Sequence, residues 1–272
     1  MGALILCRKT RVWGVKMKKL LPLAAALVSM ATAASAADFP VAPPMKAALP
    51  APILFSWTGC YVGVEGGGAR GQGEQIANSG PFPNATITGG MTITGGIAGG
   101  TVGCNIQMSN FVVGGEADFS WTNKRGSRND LPPFNTASIS ETRERWIDTF
   151  RGRFGYAIDR FMIYGTAGVA VAGTTVSINN PAFGTISESR DRTGWVAGLG
   201  GEFAVWTGGA FDVTLKVEYL HAGFESKQYF NPQLVTPVGT TIVTRDTKLT
   251  DDIIRAGLNV KFNWGGPVVA RY

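Results

Sequence analysis

Any general-base chemistry in this chain has a single imidazole to draw on, His221. A hydrolytic site needs a nucleophile, a base and an orienting group within hydrogen-bond reach. No G-x-S-x-G elbow is present to expose a serine. His221 also alternates in phase with Val217 and Tyr219, so it sits on the apolar side of its segment, where a lone histidine fits a membrane interface. The run Gly66-Gly67-Gly68-Ala69-Arg70-Gly71 satisfies G-x-G-x-x-G, but no helical pattern follows it, and a dinucleotide site needs one. Cys60 and Cys104 are not part of a Cys-x-x-Cys pair, and one histidine does not complete a zinc site. We therefore expect no catalytic residue, no metal and no cofactor, and we expect the chain not to be an enzyme.

What the chain does hold is charge at regular spacing. Asp212, Thr214, Lys216 and Glu218 alternate with Phe211, Val213, Leu215, Val217 and Tyr219. Arg255, Gly257, Asn259 and Lys261 alternate with Ile254, Ala256, Leu258, Val260 and Phe262. Period-2 alternation puts the two sets on opposite faces of a strand. Eight such segments can be drawn, 57–68, 92–107, 111–121, 143–158, 161–176, 192–205, 211–224 and 249–264. The connections between them alternate strictly, long at 69–91, 122–142, 177–191 and 225–248, short at 108–110, 159–160 and 206–210. Most segments exceed the roughly 9–11 residues that a tilted strand needs to cross a bilayer. An open sheet edge in hydrocarbon would leave backbone groups unpaired, so the sheet must close. The expected fold is all-β, a transmembrane eight-stranded antiparallel up-and-down β-barrel, with tight turns in the periplasm and long loops outside.

With the apolar face outward, the polar face lines the lumen. Its acids are Glu65, Glu116, Asp118, Glu202, Asp212 and Glu218; its bases are Arg145, Arg151, Arg153, Lys216, Arg255 and Lys261. An eight-stranded barrel is only wide enough for its side chains to fill. Balanced signs in so narrow a space predict a lumen largely closed by paired charges. Trp57, Trp121, Trp146, Trp206 and Trp264 fall near segment ends, where interfacial girdles place aromatic rings. Cys60 lies early in the first segment and Cys104 late in the second, both in phase with apolar neighbours. Antiparallel pairing brings them together, which admits a cross-strand disulfide; two small buried thiols are the other reading.

The net charge of +6 comes from the N-terminus. Lys16, Lys18 and Lys19 precede the apolar run Leu20–Met30, and Ala34-Ser35-Ala36 closes it. This is the pattern of a cleaved signal peptide over residues 1–36, with Met17 an alternative initiator. Those residues hold six of the 25 basic side chains and none of the 19 acidic ones, so the remainder is balanced at 19 of each. A nucleic-acid partner loses its electrostatic support. Five prolines between Pro40 and Pro52 mark residues 37–55 as an extended periplasmic linker. The barrel is expected over 56–264, with a C-terminal extension at 265–272.

The segment Trp57-Thr58-Gly59-Cys60-Tyr61-Val62-Gly63-Val64-Glu65-Gly66-Gly67-Gly68 resembles the first strand of the porin-family outer-membrane immunogenic proteins of alphaproteobacteria. Gly103-Cys104-Asn105, Thr149-Phe150-Arg151-Gly152-Arg153-Phe154-Gly155-Tyr156 and Gly257-Leu258-Asn259-Val260-Lys261-Phe262 share that likeness. The resemblance implies an eight-stranded surface-antigen barrel in the outer membrane of a Gram-negative bacterium, without implying a substrate. Phe262, Trp264 and Tyr272 all remain candidates for the C-terminal assembly signal. The expected role is structural and surface-interacting; a small-solute channel is the alternative. Expected partners are outer-membrane lipid, lipopolysaccharide, the barrel-assembly machinery, and host or phage ligands through the four long loops.

Overall fold

The computed structural model describes residues 55–231, 235–236 and 241–263. The signal peptide, nearly all of the proline-rich linker, Trp264 and the C-terminal extension lie outside these residues. The described chain is built from nine antiparallel strands: β1 (Gly59–Ala77), β2 (Thr86–Met108), β3 (Phe111–Thr122), β4 (Arg125–Asn129), β5 (Ile139–Ile158), β6 (Phe161–Asn180), β7 (Gly184–Gly208), β8 (Phe211–Tyr229) and β9 (Arg245–Phe262). Strands β3 and β4 are two pieces of one stave. β3 pairs with β5 up to Trp121↔Trp146, and β4 resumes against the same strand from Arg125↔Arg143. The barrel therefore has eight staves. It closes where β1 meets β9, from Cys60↔Phe262 to Ala77↔Arg245.

The alternation read from the sequence fixes the two faces. Along β9, Arg245, Thr247, Leu249, Asp251, Ile253, Arg255, Asn259 and Lys261 are buried, while Ile254 and Leu258 are exposed. Leu199 is 69% exposed, Ile254 65% and Val64 65%. A belt of large apolar side chains left open to this extent requires a nonpolar surrounding, since water-soluble monomers rarely show such a continuous surface.

The staves run further than the hydrophobic pattern does. β1 continues to Ala77 and β8 to Tyr229, and the longer connections shrink to 78–85, 130–138, 181–183 and 230–244. Past the apolar belt the outward face carries Gln72, Glu141, Arg143 and Ser189. There both faces tolerate polar groups, so alternation fades while the backbone ladder continues. At the opposite end the connections are two-residue turns, at 109–110, 159–160 and 209–210. The first residue of each has positive φ (Ser109 58°, Asp159 51°, Gly209 55°), the twist that joins adjacent strands tightly. Each turn is tied to the next stave, through Ala157 N to Asn110 O, Ala204 N to Arg160 O and Asn263 N to Ala210 O.

Candidate functional site

Eleven of the twelve side chains expected in the lumen are buried there. Arg151 reaches Glu116 at 2.5 Å, Asp118 at 2.8 Å and Glu218 at 2.8 Å. Arg255 joins Asp118 at 3.0 Å, Glu218 at 2.7 Å and Glu65. Lys216 bridges Glu65 at 3.2 Å and Glu116 at 3.1 Å. Arg153 pairs with Glu202 at 2.7 Å and lies over the Tyr164 ring at 3.9 Å. Nearer the turns, Lys261 pairs with Asp212 at 3.2 Å. Neutral groups fill the remaining valences. Thr149 donates to Asp118 at 2.6 Å, and Thr214 and Asn259 donate to Glu202 at 2.5 and 2.9 Å.

Arg145 is the correction. Its pairing register slips between Glu144 and Trp146, so two residues of β5 oppose a single position on β6. This is a β-bulge, which inserts one residue and reverses the parity of everything beyond it. Arg145 is exposed on the outer face, and Glu144 takes the inward place at 2% exposure. Of the expected lumen set, six acids and five bases remain.

Two tyrosines join the network without having been expected. Tyr61 Oη donates to Glu116 at 2.6 Å and accepts from Arg153 at 2.7 Å, and Tyr164 Oη donates to Glu218 at 3.1 Å. Their rings need facing positions without side chains: a Cβ on Gly103 would meet Tyr61, and one on Gly200 would meet Tyr164. Tyr61 shares the parity of Glu65, so the alternation held that signal.

Above the network lies an apolar layer that includes Ile93, Ile97, Ile147, Val196, Leu220 and Ile253. Above that layer a second set of charges appears. Lys124 Nζ sits 2.7 Å from Glu144 and 2.6 Å from Asp251, with all three side chains at 2% exposure or less. Arg192 donates to Thr247 O at 2.8 Å and Tyr229 Oη at 3.2 Å, and Arg245 pairs with Asp130 at 3.1 Å. Glu144 stands beyond the Trp121–Trp146 rim and outside the apolar belt. Burial pushes its carboxyl up to about 8, with Asp251 adding to the rise and Lys124 opposing it.

The outer rims divide the tryptophans. Trp121 and Trp206 are exposed, and Trp146 is half-buried over Gly173. Trp57 is not a girdle residue. It precedes β1, has the inward parity of Tyr61, and is 1% exposed. It plugs the turn end against Val112, Ala157 and Met162, with Nε1 donating to Asp159 O at 3.0 Å. Trp195 and Tyr219 complete the loop-side rim. Cys60 and Cys104 are direct cross-strand partners and are disulfide-bonded, on the outer side of the barrel. His221 also faces outward, Nδ1 2.7 Å from Asp252 Oδ1, an oxygen that accepts from Tyr219 Oη at 2.6 Å.

Residues 23–262 match the outer membrane protein beta-barrel domain family. The chain belongs to this family. A 31 kDa outer-membrane immunogenic protein of Brucella melitensis is 33% identical over 253 residues, covering 88% of this chain and 98% of its own. A 25 kDa outer-membrane immunogenic protein of Brucella canis is 30% identical over 249 residues, covering 90% and 99%. A 22 kDa outer membrane protein of Rhizobium leguminosarum is 30% identical over 176 residues, covering 64% and 67%. The protein is thus an outer-membrane β-barrel of the alphaproteobacterial surface-antigen kind. Its short turns mark the periplasmic end and its longer connections the extracellular end.

Proposed function

We propose that this barrel is a closed-lumen scaffold of the outer membrane, which braces the bilayer and presents its extracellular connections as a surface. The observation that carries this reading is the sequence of layers along the lumen. A cross-braced charge network, an apolar layer and a second charged layer succeed one another across the interior. An ion crossing it would have to separate buried pairs and then pass through hydrocarbon. Both steps are strongly unfavourable. The relatives named as immunogenic outer-membrane proteins support the surface half of the reading.

Planar-bilayer recording of the refolded chain tests it. The expected result is no reproducible unitary current. Steady single-channel steps of uniform size would replace the scaffold by a small-solute channel.

A further inference from the structure

The loop-side rim is electrically uneven. On the β1, β8 and β9 side, Arg70 lies directly across from Asp252, which also holds His221 and Tyr219. On the lumen-facing side of β7, at the same end, Arg190 is held by Glu188 at 2.5 Å. Charge there is matched within the protein. The stave formed by β3 and β4, with its neighbour β5, is different. Arg125 and Arg143 are direct cross-strand partners, both exposed, so two like charges face each other across the ladder. Such a pairing is destabilising by itself. The β5 bulge then turns Arg145 to the same outer face. Glu141 engages Arg143 at 2.5 Å. Asp148, one step below Trp146, is the other acid of this face. Among the described residues, Arg125 and Arg145 have no ion-pair partner.

Two further observations say what would sit there. A cleft of about 520 Å³ opens among the three arginines, lined also by Thr94, Thr122 and Asn123 and by Lys124 and Glu144, which are paired with each other at 2.7 Å. Directly below it, toward the bilayer centre, Trp121 and Trp146 are cross-strand partners at the rim of the apolar belt. Aromatic rims mark the headgroup level, so the arginines stand where headgroup phosphates lie. Guanidinium forks bind phosphate in two-pronged fashion, with threonine and asparagine able to add single bonds.

We propose that Arg125, Arg143 and Arg145 form a binding site for the phosphorylated headgroup of an outer-leaflet glycolipid. The lipid's acyl chains would run down the outer wall past the two tryptophans. The phosphate removes the repulsion between Arg125 and Arg143, so an arrangement that is unfavourable in the bare protein becomes favourable when occupied. The site is on the outside of the barrel and stands whether or not the lumen conducts.

The test uses the refolded chain in neutral detergent, titrated with diphosphorylated lipid A and followed by native mass spectrometry. One tight lipid per barrel is expected, weakening as salt screens the contact. The triple variant Arg125→Gln, Arg143→Gln, Arg145→Gln should bind at least about tenfold more weakly, this being roughly two lost charge-assisted contacts. Its folding is checked by heat-modifiable gel mobility, and Arg70→Gln, which removes an outer-face arginine that does not line the cleft, serves as the control that keeps full binding. Three results would overturn the proposal: equal binding by the triple variant, equal binding of lipid A stripped of phosphate, or saturation by inorganic phosphate with no preference for the lipid. If the triple variant does not fold, single Arg145→Gln, which only clears an exposed bulge position, carries the same test with a smaller expected loss.

Discussion

The lumen contains two charged regions, and they are built differently. On the periplasmic side, five carboxylates and four cations interlock, and most carboxylates touch more than one cation. On the extracellular side, Lys124 alone serves Glu144 and Asp251. The residues of the lower network lie on stretches of continuous register, the nearest shift falling beyond them between Ala204 and Trp206. The upper one stands where β3 gives way to β4 and where β5 is bulged. A redundant network is rigid against loss of a proton but harmed by loss of any hub. A cluster with one cation for two acids must respond to pH.

The hub of the lower region offers the largest effect. Arg255→Met leaves Glu65, Asp118 and Glu218 short of a shared partner. A broken buried pair costs about 3–5 kcal/mol, so the unfolding free energy of the refolded barrel, read from urea titration, should fall by that amount. A loss under about 1 kcal/mol would mean that water already occupies the network and that the region is not dry. Lys124→Met should be milder, about 1–3 kcal/mol, the range for a buried group left unsatisfied. Glu144 can keep a proton and donate it to Asp251, which the lower hub's three carboxylates cannot all do.

The same asymmetry explains what could be read in advance. Eight staves, their order and the inward set from Glu65 to Lys261 follow from period-2 alternation, because inside lipid one face must be apolar. Asp251 shares the parity of Arg255 and was legible on that rule. Glu144 and Lys124 were not. A bulge leaves no mark in a run such as Glu144-Arg145-Trp146-Ile147, where both phases offer a polar and an apolar candidate. Lys124 follows Asn123, at the break between β3 and β4, in a stretch whose polar composition reads as loop. Trp57 departs from the girdle expectation for a different reason. Its position near a strand end outweighed its parity, which already pointed inward. The layer boundaries depend on which inward residues from different staves share a height, and that is set by stagger rather than by any one segment.

A pH series sharpens the contrast between the two regions. The folded Glu144 carboxyl titrates near 8, above its ordinary range near 4.5. A raised acid is protonated in the folded state and ionised in the unfolded state between those values. Its contribution to stability is therefore complete below about 4.5 and is lost as pH rises toward 8. Glu144→Gln keeps the shape and removes the proton, so the variant should lose less stability than the parent between about pH 5 and pH 9. Parallel curves for the two proteins would place Glu144 in contact with water and remove the difference between the two charged regions.

The smallest energetic effect gives the most direct view of the bulge. Cys60 and Cys104 are paired, so among the described residues a single introduced cysteine is the only thiol of the barrel. In an unbroken β5 the odd positions would point inward throughout, burying residue 145 and exposing residue 142. In the bulged strand, Arg145 is outside and Thr142 is buried. Arg145→Cys should label on intact cells with a membrane-impermeant maleimide, and Thr142→Cys should stay silent. Stability should move by no more than about 0.5 kcal/mol for the exposed Arg145 site. The reverse labelling pattern would remove the bulge, return Arg145 to the lumen, and take the third arginine from the outer rim.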